Sequence, residues 1–169
     1  LRALRILRAA PVLAAEDTRS AQHLLSHHGL AGDRRLLSFF EGNEAQRVPQ
    51  LLADLAAGHD VALISEAGLP GVSDPGQRLV SAAAAAGHRV EVLPGACAAV
   101  TALIGSGLPS DRFVFVGFPP RAEGARLARR AREGAEPGAL IGFEAWDRTG
   151  RTLGDLAATL GAERRACVA

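Results

Sequence analysis

The sequence predicts an α/β fold whose first sheet is largely parallel. Three features carry that reading. Short apolar runs alternate with helix-period segments along the whole chain. The runs are bounded by Gly, Pro, Asp or Asn, as buried strands are. Between 61 and 76 the residues read Val-Ala-Leu-Ile-Ser-Glu-Ala-Gly-Leu-Pro-Gly-Val-Ser-Asp-Pro-Gly. That is a strand, a Gly- and Pro-rich turn and a helix start in series, which leaves free backbone donors at the carboxyl end of a strand, where open α/β sheets hold their ligands.

In chain order, Leu1, Leu4, Ile6 and Leu7 have helical spacing, and Pro11 ends that helix. Val12 to Ala15 is a strand. Asp17 or Thr18 caps a helix that stops at Gly29. Leu36 to Phe40 is a strand, and Asn43 or Glu44 opens a helix to Gly58 that must accommodate Pro49. Val61 to Ile64 is the next strand; after it Asp74 suits an N-cap and Pro75 the first helical position of a helix to Ala86. Arg89 to Leu93 reads as a strand, Pro94-Gly95 as a turn, Cys97 to Ile104 as a helix and Phe113 to Gly117 as a strand. Pro119-Pro120 is the expected domain boundary, dividing 1–118 from 119–169. Beyond it come a basic helix from Arg121 to Glu136, a strand from Ala139 to Phe143, a helix from Thr152 to Leu160 and a strand beginning at Arg165.

Composition narrows the function classes. With 169 residues and 48% apolar content the chain can bury one or two small cores. A net charge of +1 gives no global electrostatic attraction to nucleic acid. All nineteen basic residues are arginine, and methionine is absent, so a natural start upstream is expected. Cys97 and Cys167 are isolated and the histidines are scattered apart from His27-His28, so no metal is assigned. No apolar run approaches the roughly 20 residues of a membrane span. No signal-peptide pattern is read, and the cytoplasm is the default location.

Five motifs then occur in a characteristic order: Ala15-Glu16-Asp17-Thr18-Arg19, Asn43-Glu44, Glu66 to Gly76, Pro94-Gly95-Ala96-Cys97-Ala98, and Gly107-Leu108-Pro109-Ser110-Asp111-Arg112-Phe113. Together they resemble the tetrapyrrole (corrin/porphyrin) methylase family, and within it the branch that methylates the 2′-hydroxyl of a cytidine in small-subunit ribosomal RNA. The resemblance implies a two-domain α/β fold with its second domain truncated here, S-adenosylmethionine as methyl donor in the cleft between the domains, and a homodimer. It also implies ribosomal RNA or the small ribosomal subunit as partner; no membrane and no metal are expected from the composition above. The chain departs from the family in lacking the first strand and Gly-rich loop. It also lacks the histidines usual around Phe39 to Glu44, and a lysine usual where Ala122 stands. After Phe143-Glu144-Ala145 it reads Trp146-Asp147-Arg148, where Pro-His-Arg is usual.

By the resemblance, Gly68, Pro70, Ser73, Asp74 and Gly76 line the donor, with Gly95, Cys97 and Ala98 beside them and Phe143, Glu144 and Ala145 from the second domain. The ordinary alternative is that these residues only shape turns. A ribose hydroxyl is a poor nucleophile at neutral pH, so a general base is needed. Glu16, Asp17 and Glu66 are the candidates, with Arg19 beside them to pair a carboxylate or a phosphate. Asp17 reads equally as a helix cap, and Glu66 as a brace for its loop. Arg19, Asn43, Glu44, Arg121, Arg126, Arg129 and Arg130 are the candidate RNA contacts, although an arginine run is also what a solvated helix face looks like. Aromatics are only 4% of the chain, so Phe39, Phe40 and Trp146 are the candidates for base stacking, and the two phenylalanines suit a core better. The rival readings are a tetrapyrrole acceptor and a non-catalytic chain that keeps the fold. A dinucleotide oxidoreductase is disfavoured because no Gly-x-Gly-x-x-Gly follows a strand.

Overall fold

The computed structural model describes residues 1–30 and 32–169, with the side chains of 130 and 131 outside the description. Contacts divide the chain into two compact units, Leu1–Ala96 and Cys97–Ala169.

The first unit is built on β1 (Val12–Ala15), which is buried along its whole length. It lies between β2 (Arg35–Ser38) and β3 (Val61–Ile64), both parallel to it. Val12 is in register with Arg35 and Val61, and Ala15 with Ser38 and Ile64, so the three strands end level at one edge. Successive strand side chains point to opposite faces. Val12 and Ala14 accordingly pack with Phe39, Leu51 and Leu79, bringing α3 (Glu44–Ala56) and α4 (Gln77–Ala85) onto one face. Leu13 packs with Leu7, Leu25 and Leu30, bringing α1 (Arg2–Ala9) and α2 (Thr18–His27) onto the other. Leu13, Phe39 and Leu51 are fully buried, and each contributes about 1.5–3 kcal/mol by leaving water. The result is a sheet covered on both faces, as short apolar parallel strands require.

Two expectations in this unit are corrected. Asp74 does not cap α4: the residue preceding the helix is Gly76, at φ 138°, with no side-chain cap of its own. The acceptor comes from another helix, because the Gly76 N–H donates to Glu44 Oε1 at 2.7 Å. Arg89 to Leu93 is not a strand. Its valines alternate as a strand's would, but Val90 and Val92 are exposed, and no strand among the described residues pairs with it. Pro49 sits inside α3, where the helix forgoes one N–H donor.

In the second unit β4 (Phe113–Gly117) and β5 (Ala139–Gly142) pair in parallel, so the expected boundary at Pro119 falls between two strands of one sheet. Helix α5 (Ala98–Ser106) packs on that sheet through Ala99 and Leu103 against Ile141. Helices α6 (Glu123–Glu133) and α7 (Thr149–Leu160) are joined by Arg126 Nε and Asp155 Oδ2 at 2.5 Å. The strand expected from Arg165 is absent; the residues from 165 to 169 are exposed and unpaired in any sheet.

Candidate active site

A cleft of ≈ 510 Å³ opens at the carboxyl ends of β1 and β3, within the first unit. Level strand ends create it. The residues that follow β1 and β3, Glu16, Asp17, Ser65 and Glu66, form its floor, and α2 supplies one wall with Ser20, His23 and His27. Glu16 joins the two strand ends, since its N–H donates to the Ile64 carbonyl at 3.3 Å and its Oε2 accepts from the Glu66 N–H at 3.3 Å. Glu66 is held in turn by the Ser20 hydroxyl, which donates to Oε1 at 2.9 Å. The Ser65 hydroxyl oxygen is buried without a hydrogen-bond partner among the described residues.

Asp17 is used differently. Its carboxylate caps α2 by accepting from the Arg19 N–H at 2.7 Å, and it also receives the Arg19 guanidinium through Nε at 3.2 Å and Nη2 at 2.7 Å. That guanidinium, with the backbone bond beside it, holds the Asp17 carboxyl down at about 2, and the pair raises Arg19 in return. So weak a base is a poor proton acceptor at neutral pH. Glu16 and Glu66 remain the carboxylates suited to that work.

The loop from Ser65 to Gly76 rises from the end of β3. Gly68 and Gly71 have φ of 82° and 85°, and Ser73, a residue with a side chain, is held at φ 62°. Such backbone costs on the order of 1–3 kcal/mol at a non-glycine residue, and it persists where the surroundings impose it. At Gly76 a Cβ would stand 2.7 Å from Leu63 Cδ2. At Gly68 it would stand 3.8 Å from the Ala96 carbonyl oxygen, so this loop and the Gly95 turn meet.

Other expected site residues are placed less simply. Glu44, expected to face RNA, is buried, holding Gly76 with one oxygen and lying 3.6 Å from Arg78 Nε with the other. Asn43 closes its own turn, accepting from the Phe40 N–H and donating to the Ser38 carbonyl. In the second unit Cys97 precedes α5 and is part of its core. Phe143 lies edge-on to Phe115, with ring centroids 5.0 Å apart. Glu144 accepts from Ala145 N–H and from the Thr152 hydroxyl. Of the arginines, Arg126 is buried against Asp155, whereas Arg129 pairs with Glu133 and donates to the Val116 and Phe118 carbonyls. Arg19 and Arg121 are exposed, and the side chain of Arg130 lies outside the described residues.

Residues 1–169 match the tetrapyrrole (corrin/porphyrin) methylases. The chain belongs to that family. Three curated relatives carry the name ribosomal RNA small subunit methyltransferase I. That of Micromonospora olivasterospora is 51% identical over 95% of this chain and 51% of its own length. Those of Escherichia coli O157:H7 and Mesorhizobium japonicum are 47% and 46% identical, over 96% and 99% of this chain and 56% of their own lengths. The chain therefore spans about half the length of the curated relatives it matches.

Two cleft residues, His23 and His27, are not singled out by the sequence reading. The signal was present: Ser20, His23, Leu24 and His27 recur at i, i+3, i+4 and i+7, one stripe of a helix. Along the chain the histidines are scattered, and the stripe exists only on the helix surface. Among the described residues no group of His, Cys, Asp and Glu is arranged to hold a metal ion, and no helix is long and apolar enough to cross a membrane. A second hollow, ≈ 320 Å³, opens beside Arg8, Pro11 and Arg34. There the Arg34 guanidinium donates to the Leu7 and Leu30 carbonyls, so it ties chain segments together.

Proposed function

We propose that this chain is part of an S-adenosylmethionine-dependent methyltransferase acting on the 2′-hydroxyl of a cytidine in small-subunit ribosomal RNA. The observation that carries the reading is the cleft at the ends of β1 and β3, lined by Glu16 and by Glu66, from which the glycine-rich loop to Gly76 departs. Its support in kinship is that relatives 46–51% identical are named as methyltransferases of that RNA. The residues suit a sulfonium donor: the loop backbone at Gly68 and Gly71 permits close approach, and the carboxylates complement a positive charge. When bound, such a donor supplies an already activated methyl group.

The chain's own residues then have three tasks. The loop from Gly68 to Gly76 holds the donor by backbone contact, which is where positioning supplies much of the rate. Glu16 takes the proton of the ribose hydroxyl as the oxygen–carbon bond forms and the sulfur–carbon bond breaks, leaving a neutral thioether. Glu66, clamped by Ser20, keeps Glu16 in place through its N–H. Homodimeric assembly belongs to this proposal through the family resemblance, and a cytoplasmic location through the RNA substrate it assigns.

The test has two stages. Calorimetric titration with S-adenosylmethionine should give binding in the micromolar range. Incubation with labelled donor and unmethylated small-subunit ribosomal RNA should then yield 2′-O-methylcytidine in the nucleoside digest. Donor binding with transfer to a porphyrinoid acceptor and none to RNA would turn the assignment to the rival tetrapyrrole reading.

A further inference from the structure

We infer that His23 and His27 hold the phosphate of the acceptor nucleotide beside the cleft carboxylates, an inference that rests on the RNA reading above. The chemistry of the acceptor requires such a contact. In RNA the carbon next to the one that bears the 2′-hydroxyl carries the 3′-phosphodiester. A carboxylate that reaches the hydroxyl therefore meets a second anion close by, and the two repel more strongly in a cleft than in open water. The repulsion has to be answered locally, because the chain as a whole has a net charge of only +1.

The floor of the cleft cannot answer it. Glu16 and Glu66 carry the negative charge themselves, and the Ser20 hydroxyl is already donated to Glu66 at 2.9 Å. The Ser65 hydroxyl oxygen is buried, out of reach of an incoming anion. Arg19 is not part of the cleft lining, and its Nε and Nη2 are taken by Asp17 at 3.2 and 2.7 Å. Among the described residues that line the cleft, only His23 and His27 carry side-chain nitrogen.

Their placement fits the task. The two histidines stand four residues apart on α2, one and two turns beyond Ser20 on the wall of the cleft. Side chains at that spacing have Cβ atoms about 5–6 Å apart, close enough for both imidazoles to reach one phosphate. Both are exposed, so a phosphate can arrive without displacing packed side chains. An imidazole donates an N–H whether neutral or protonated, and when protonated it adds a positive charge. The same spacing also suits a pair of metal ligands, but among the described residues no third ligand joins them. The pair thus sets the acceptor strand in register, with its uncharged ribose at Glu16 and its phosphate along α2.

The experiment is a proton NMR titration of the 169-residue chain with cytidine and with cytidine 3′-monophosphate, observed at the imidazole protons of its five histidines. The H23A and H27A variants assign the two resonances, and at exposed positions both should keep the fold. The 3′-monophosphate should shift those two resonances and bind about 10- to 150-fold more tightly than cytidine, the range expected of hydrogen bonds to a charged group. In the H23A/H27A double variant that advantage should fall to near unity. A 3′-monophosphate that binds no better than cytidine, or an advantage kept by the double variant, would overturn the role of the histidines. The RNA reading would then stand on a separate titration with a single-stranded, dye-labelled segment of small-subunit ribosomal RNA. A chain that binds S-adenosylmethionine in the calorimeter but neither the nucleotide nor that RNA segment would overturn both.

Discussion

The carboxyl ends of β1 and β3 and the arginine-rich helix α6 are both dense in charge, yet the fold uses their charges in opposite ways. At the strand ends, Glu16 and Glu66 are held by a backbone N–H and a hydroxyl, so their negative charge stays available to the cleft. On α6, Arg126 is buried on Asp155 and Arg129 is engaged by Glu133 and two carbonyls. A neutral donor positions a carboxylate without neutralising it, whereas an ion pair consumes the charge locally. The difference teaches that a charged run in a sequence marks a binding face only where its partners are neutral.

The sharpest way to break the comparison is at Glu16. Glu16→Gln keeps an oxygen able to accept from the Glu66 N–H, so the loop and donor affinity should survive while transfer falls by about 10²–10⁴-fold, the usual range for a general base. An unchanged single-turnover rate would remove Glu16 from the chemistry. The second test is at α6. Arg126→Ala leaves Asp155 without its partner in a site where the arginine side chain is 6% exposed, and should cost about 3–5 kcal/mol of stability in a denaturant titration. Arg121→Ala, at an exposed position two residues before α6, should leave stability within about 0.5 kcal/mol. Equal effects of the two would mean that Arg126 is not held in a buried pair with Asp155.

A third test concerns the tie between α3 and the donor loop. Glu44→Ala removes a charged acceptor from Gly76, a bond type that contributes about 1.5–3 kcal/mol. The melting temperature and the donor affinity should fall together, because the loop that ends at Gly76 is the proposed donor loop. A loss of stability with donor affinity retained would separate the two.

The same contrast explains what was legible in the sequence. Strands β1 and β3 were read to the residue, because a buried parallel strand is apolar throughout and its ends are marked by turn residues. Local capping was legible as Asp17 or Thr18, and it falls on Asp17, whose acceptor and donor are two residues apart. At Gly76 it was misread, because the capping carboxylate is 32 residues away and Asp74 offered a plausible nearer one. The burial of Arg126 was equally hidden, since Asp155 is 29 residues distant on another helix. Arg89 to Leu93 has the alternation of a strand, but a strand exists only with a neighbour, and none of the described strands pairs with it. Local signals set the elements, and long-range partners set which charges remain free.

The smallest expected effect is at Asp17, and its sign distinguishes capping from catalysis. The Arg19 bonds depress the folded carboxyl from its ordinary 3.8 to about 2, so the unfolded chain binds the proton more readily than the folded one does. Stability from this pair is then fully present above about pH 4, declines as the solution is acidified, and is lost once pH falls through about 2. Asp17→Ala, which removes both the cap and the pair, should lower the melting temperature at pH 7 by a modest amount. The ion-pair part of that deficit should shrink between pH 4 and pH 2, leaving the part due to the uncharged cap. Asp17→Asn keeps a capping oxygen and should show the pH-dependent part alone. Its transfer rate at neutral pH should stay near that of the parent chain, because the Asp17 carboxylate is taken up by the Arg19 N–H and guanidinium. A rate loss as large as that of Glu16→Gln would instead make Asp17 the proton acceptor and Glu16 the brace.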